Sequence, residues 1–337
     1  MKPSNISLHE FMWNVWFVYH KRFLKISSQI ITQNTMRRID RYFKKTKLND
    51  ITLTKCNDFI NYLAYEQKLS RQTMATTLAC LKMVFKHAVI VEKILKNNPT
   101  EYVFLPKLYT NDRARIISLE DKKRLYLEKE EIAKFLSEAR SARNAFPFAT
   151  FFMLLIYTGM RAGEALALQW DNIDFSKKLI YIRSTVYYRT NNRFDVYSPK
   201  TKSSVRDVVI SDTLINELKS YRQKFLTYKM RHRNIWNDHG YDFVFVSKTE
   251  PGNPIRYSTV SSCTRRLGNK IGFKNLHPHL FRHTHVSILA AERIPLSAIR
   301  ERLGHADDKT TEQIYLHITK QFKSEIALKF DKAIQNI

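Results

Sequence analysis

Two arginines, two histidines, a lysine and a tyrosine in this chain are of the types that can act on a phosphodiester. They stand as Arg161 in T-G-M-R-A-G-E, Lys200 in S-P-K-T-K-S-S, His279 and Arg282 in H-P-H-L-F-R-H, His305 in L-G-H, and Tyr315 in Q-I-Y-L-H. A phosphodiester repels nucleophiles with its anionic oxygens and releases a poor alkoxide. Cleaving it calls for positive donors held in place and a proton for the leaving oxygen. The planar arginine fork suits the first task, because it can hold two phosphate oxygens at once. Each preorganised donor in such a site is worth about 2.7–4 kcal/mol.

Taken singly, these residues are ordinary. Arg161 follows a glycine-containing turn that sets it at the mouth of a buried helix, where a surface or ion-paired arginine is the bland alternative. His279 and Arg282 stand three apart, the spacing that puts two side chains on one helix face, and Pro278 suits a helix start. His283 reads as a structural partner, and His277 and His285 have no specific claim. Four histidines so close invite a zinc reading, but no cysteine or carboxylate accompanies them, and no metal is expected. A tyrosine on a helix belongs to core or surface more often than to chemistry, and a turn lysine is usually solvated.

The elements that must position these groups are mostly helices. Apolar residues at helical spacing begin at Leu8 behind a capping Ser7, recur from Thr35 to Lys45 and from Asp58 to Glu66, and run on from a capping Ser70 until N-N-P at Asn97 to Pro99. Four helices predict a small all-α domain over 1–105, and a polar, basic stretch without periodicity predicts a linker over 106–125. A second domain over 126–319 starts with helices near Glu128 and at Phe148 to Tyr157, broken at Gly159, with a short helix from Gly163 to Leu168. Leu179 to Tyr188, Phe194 to Tyr197 and Val205 to Ile210 are β-branched and aromatic, predicting one three-stranded antiparallel sheet. Helices then resume at Leu214 to Lys229, Ser258 to Ile271, His283 to Glu292, Leu296 to Leu303 and Thr310 to Tyr315. A last helix over 320–337 carries Phe322, Ile326, Phe330 and Ile334 as a stripe. The fold class is therefore mainly α with a small antiparallel sheet.

Composition narrows the partner. With 57 Lys and Arg against 31 Asp and Glu, the 337 residues carry a formal charge of +26, and the excess is spread over both halves. A polyanion facing both halves fits this, as when a protein closes around a duplex and releases its counterions. No basic amphipathic segment pairs with a lipid-facing stripe, so no membrane role is expected. The N-terminus lacks a secretory pattern, and three unclustered cysteines fit a reducing cytosol.

The order and setting of the six residues resemble the tyrosine recombinases, the phage integrase family, over most of the chain. T-G-M-R-A-G-E is similar to the string around that family's first catalytic arginine, H-P-H-L-F-R-H-T-H to its second box, and L-G-H-A-D-D-K-T-T-E-Q-I-Y-L-H to its nucleophile segment. The resemblance implies Tyr315 as nucleophile, Arg161, Arg282 and His305 on the phosphate, and His279 on the phosphate and on the tyrosine proton. It further implies Glu164 as an orienting carboxylate and a hairpin lysine as general acid. Lys200 matches the P-K-T pattern better than Lys202, and either can serve. The implied reaction joins Tyr315 to a DNA 3′-phosphate, frees a 5′-hydroxyl and is reversed by a second duplex, without metal, ATP or other cofactor. Implied partners are double-stranded attachment core sites, a homo-tetramer on DNA and an excisionase-type directionality factor.

The family reading further implies a helical core-binding domain before an α+β catalytic domain. The terminal helix packs either on its own domain or on a neighbouring protomer. Because the chain runs directly into the helical domain, no arm-binding domain is expected and a simpler core-site reaction is. A Xer-like resolvase shares the motifs; a type IB topoisomerase and a catalytically silent DNA-binding protein are the remaining alternatives.

Overall fold

The computed structural model describes residues 6–106, 125–142, 145–189, 193–199, 204–304 and 309–319. The chain divides into two units, Met1–Ile116 and Ile117–Ile337.

In the first unit, Ser7 starts helix α1 (residues 8–20) by a reciprocal cap. Its hydroxyl accepts the Glu10 N–H at 3.1 Å, and a Glu10 oxygen accepts the Ser7 N–H at 3.0 Å. The middle of α1, Phe11–Trp16, is π-wound. Helix α2 spans Ile26–Phe43 and α3 spans Leu53–Asn61, continuing as a π turn through Tyr62–Glu66. Both begin earlier than apolar periodicity predicts; Thr52, not Asp58, opens α3, its hydroxyl accepting the Lys55 N–H. Helix α4, Arg71–Ile90, has its predicted cap, with Ser70 accepting from Thr73. Length and composition alone would let α4 cross a membrane. Here Met74, Leu81, Val84 and Phe85 bury its face against Phe11, Trp16, Ile39 and Phe59.

The second unit is built on helix α6. Helix α5 (Lys129–Ser141) precedes it, and α6 (Ala145–Thr158) is so apolar that Phe151, Phe152, Leu154 and Leu155 are wholly buried. It ends at Gly159, whose φ of +64° favours glycine. A Cβ there would lie 2.6 Å from atoms of both His285 and Leu303, so the turn is also a place of close approach. The short α7 (Ala162–Leu166) follows.

The single three-stranded sheet expected from sequence is instead two sheets. Strands β1 (Ile173–Asp174), β2 (Leu179–Ile182) and β5 (Arg206–Val209) form one, in the order β1-β2-β5. Strands β3 (Thr185–Tyr188) and β4 (Phe194–Tyr197) pair separately. The continuous β-prone run breaks at Arg183 and Ser184, whose side chains turn to the Arg206 and Ala167 carbonyls. Strand propensity does not register such a break, because it is set by partners distant in the chain.

Helices α8 (Asp212–Arg231), α9 (Tyr257–Lys270), α10 (Leu280–Ala291), α11 (Leu296–Leu303) and α12 (Lys309–Thr319) complete the unit. Helix α10 packs on both α6 and α12. Helix α11 ends at Gly304, left-handed at φ 67°. Mainly α with small antiparallel sheets, the architecture is that expected in class.

Candidate active site

The turn after α6 presents Arg161 immediately before α7. Glu164, one turn on, grips it twice: one carboxylate oxygen accepts the Arg161 backbone N–H at 2.8 Å and the other accepts its Nη1 at 2.7 Å. Glu164 is buried, which pushes its pKa up. Arg206, by charge and hydrogen bond, and then Arg161 outweigh that burial, so the carboxyl sits below its usual range.

Arg282 enters from the first turn of α10 and is 1% exposed. Its Nη1 donates to the Gly159 carbonyl at 2.7 Å and its Nη2 to the Leu303 carbonyl at 2.8 Å. Those carbonyls belong to the ends of α6 and α11, where helix geometry leaves acceptors without intrahelical donors and the dipole favours cations. One guanidinium thus bridges two helix C-termini, and its plane is fixed.

His279 stands at the start of α10. Its ring meets the His283 ring edge-on with centroids 4.9 Å apart. His279 is partly open to solvent. Burial of the rest, then the charges of His283, Arg282, His277 and Arg161, push its pKa down to about 4. The imidazole is therefore neutral at neutral pH and shares its electrostatic surroundings with both arginines.

Three residues without a sequence assignment complete the cluster. Arg206 is buried on β5 and donates to Glu164 through Nη2 at 3.0 Å, to the Ser204 carbonyl through Nη1 at 3.0 Å and to the Arg302 carbonyl through Nε at 2.9 Å. His285 Nδ1 lies 2.8 Å from the Ile156 carbonyl. A carbonyl only accepts, so Nδ1 carries the proton and Nε2 accepts from Arg302 Nε at 3.2 Å. Arg302 also donates to the Tyr157 and Val209 carbonyls. The usable sequence signal was the alternation along β5, which turns Arg206 inward with Val208. An inward arginine demands a buried partner.

Tyr315 lies on α12, half-buried against a small apolar group of Val286, Ala290, Ile299, Leu303 and Ile314. An Arg300–Glu312 pair at 3.0 Å also joins α11 to α12. Of the predicted site residues, the structure gathers Arg161, Glu164, His279, Arg282 and His283, and sets Tyr315 on a helix packed against α10. Lys200, Lys202 and His305 lie outside the described residues, as does the expected terminal helix. Among the described residues, no three His, Cys, Asp or Glu side chains gather to hold a metal.

Two family profiles match the chain: the phage integrase family over residues 125–321 and the phage integrase SAM-like domain over residues 7–104. A probable integrase of prophage ps2 from Lactococcus lactis is 33% identical over 318 residues, covering 92% of this chain and 79% of the relative. The ICEBs1 integrase of Bacillus subtilis is 30% identical over 303 residues, covering 88% and 74%. In fold, the chain is similar to the Tn1549 transposon integrase in complex with transposon right end DNA. The TM-score is 0.71 at 18% identity, over 96% of this chain and 100% of that one.

Proposed function

The chain belongs to the phage integrase family, and on that premise we propose how it works as a site-specific DNA recombinase that integrates or excises a mobile element. The observation that carries the proposal is the meeting of Arg161, His279 and Arg282 around Gly159, whose carbonyl Arg282 reaches from 123 residues along the chain. A phosphate is the group that two clustered guanidiniums and an imidazole suit best.

In this mechanism Tyr315 attacks the scissile phosphorus. The Tyr315 Oη–P bond forms, the P–O5′ bond breaks, and the product is a 3′-phosphotyrosyl ester. Neutral His279 accepts the tyrosine proton. With a pKa of about 4 in the free protein it is unprotonated, and an arriving phosphate raises that pKa, so its basicity grows where it is needed. Arg161, aligned by Glu164, and Arg282, with His305, hold the non-bridging oxygens. Lys200, or Lys202, gives its proton to the 5′-oxygen. Arg282 is buried, so productive DNA binding opens its cover. The second strand's 5′-hydroxyl reverses these steps, which conserves the bond energy.

The proposal assigns DNA core binding to residues 1–105, the linker to 106–125, catalysis to 126–319 and protomer docking to 320–337. Double-stranded attachment core sites are the substrate, a homo-tetramer on DNA the working assembly, and an excisionase-type protein the directionality factor, all in the cytosol. A Xer-like role is less favoured, since the relatives described above are integrases of mobile elements.

The test is a nicked suicide duplex taken from the ends of the element that encodes the chain. Wild type should form a covalent 3′ adduct and Tyr315→Phe none, with DNA binding retained. No adduct from wild type sinks the reading; an adduct from Tyr315→Phe moves the nucleophile elsewhere.

A further inference from the structure

Arg206 has no part in the steps above, yet it is buried on a strand and donates through all three guanidinium nitrogens. Its inward position on β5 puts a full charge among core side chains, which is unfavourable unless its donors are met. Two of its three nitrogens meet distant segments, at Glu164 and Arg302, and the third meets the Ser204 carbonyl just before its own strand. Each of those segments leads directly to a residue in the proposed mechanism. Glu164 grips Arg161. Ser204 closes the stretch that follows Lys200 and Lys202, and His305 is three residues beyond Arg302.

We infer that Arg206 is a positioning residue for strand cleavage, whose single fork ties the Arg161–Glu164 turn to the start of β5 and to the end of α11. The inference rests on the recombinase reading. Fork geometry is what the role requires, because three donors must point in three fixed directions at once. Lysine keeps the charge but is a point donor on a flexible stem, so it cannot meet all three carbonyl and carboxylate oxygens. A purely stabilising role would need only that the protein stay folded. Positioning makes a sharper demand, because a shift of about 1 Å at the reacting groups slows chemistry about 100-fold.

The charge of Arg206 gives a second handle. The groups whose charge lowers Glu164 are Arg206 and Arg161. Losing Arg206 leaves Arg161 alone against the burial of that carboxyl, so Glu164 takes up a proton at higher pH and releases its grip on Arg161.

R206K and R206M are compared with wild type on the same suicide duplex, with equilibrium binding to that duplex measured alongside. Single-turnover traces are fitted for rate and amplitude separately, since amplitude counts active molecules and rate does not. The expected result is binding within about threefold of wild type and adduct formation about 100-fold slower in both variants. In R206M the acid limb of the rate also moves to higher pH, while R206K keeps the wild-type limb. An R206K rate equal to wild type, with only amplitude reduced, overturns the inference. So does an R206M limb that coincides with wild type. Wild-type protein that forms no adduct overturns the recombinase reading instead, so the two failures are distinct.

Discussion

The guanidiniums of Arg161 and Arg282 and the side chain of Tyr315 are held by different forces. Arg282 is pinned by hydrogen bonds to two helix-end carbonyls, and Arg161 by two bonds to a buried carboxylate. Tyr315 rides on α12, which among the described residues packs on a patch of aliphatic side chains and shares an Arg300–Glu312 pair with α11. Hydrogen bonds are directional and are lost within a fraction of an ångström. Apolar contact is not directional and tolerates sliding. Under the proposed mechanism the contrast suits arginines whose orientation is fixed in advance and a tyrosine whose helix is free to slide.

Breaking the pinned side should cost most. Arg282→Lys keeps the charge but cannot bridge Gly159 and Leu303, and adduct formation on the suicide duplex should fall about 10²–10³-fold. Unmet buried carbonyls should also lower stability by about 1–3 kcal/mol, read in urea titrations. A variant that cleaves at the wild-type rate would remove the distinction between pinned and sliding parts.

His285 tests the same side by pH. Burial and then Arg302 hold its pKa at about 4, below the ordinary value of 6.5. The unfolded chain therefore binds the proton first. The stability that His285 contributes is fully present above pH 6.5 and is lost as pH falls towards 4, by roughly 3 kcal/mol in all. Protonation at Nε2 also sets an N–H against the Arg302 N–H it had accepted. Denaturation midpoints measured from pH 7 to pH 4 should show this slope, and His285→Gln should reduce it to the part that His279 contributes; an unchanged slope would assign the acid lability elsewhere.

The smallest effect should come from the sliding side. The Arg300–Glu312 pair is partly exposed. Such pairs are worth about 0.2–1 kcal/mol. Glu312→Gln should shift the urea midpoint by no more than that and change the adduct rate less than about threefold. A larger loss would mean that the Arg300–Glu312 pair carries more of the hold on α12 than apolar contact does, and the contrast with Arg282 would narrow.

Helices were legible in the sequence because their signals are local. Ser7 and Ser70 cap as their positions predict, and the apolar run before Gly159 is the buried helix it resembles. The starts of α2 and α3 lie ahead of the predicted ones, where polar residues such as Ser28, Gln29, Thr54 and Lys55 interrupt the apolar face. Strand segments were legible, but their division between two sheets was not.

The motifs named Arg161, His279, Arg282 and Tyr315 without any coordinates, since short strings with fixed spacing survive the reading of a linear chain. The same reading passed over Arg206, and left His285 unassigned beside its helix neighbours. Helix placement, charge and family were thus determined by sequence alone, because propensity, composition and motif spacing are properties of neighbouring residues. Only the tertiary structure decided that the ends of α6 and α11 meet, so that Arg282, His285, Arg302 and Arg206 share their carbonyls. That choice is made by packing between segments far apart in the chain, where each buried donor must find whatever acceptor the fold brings to it.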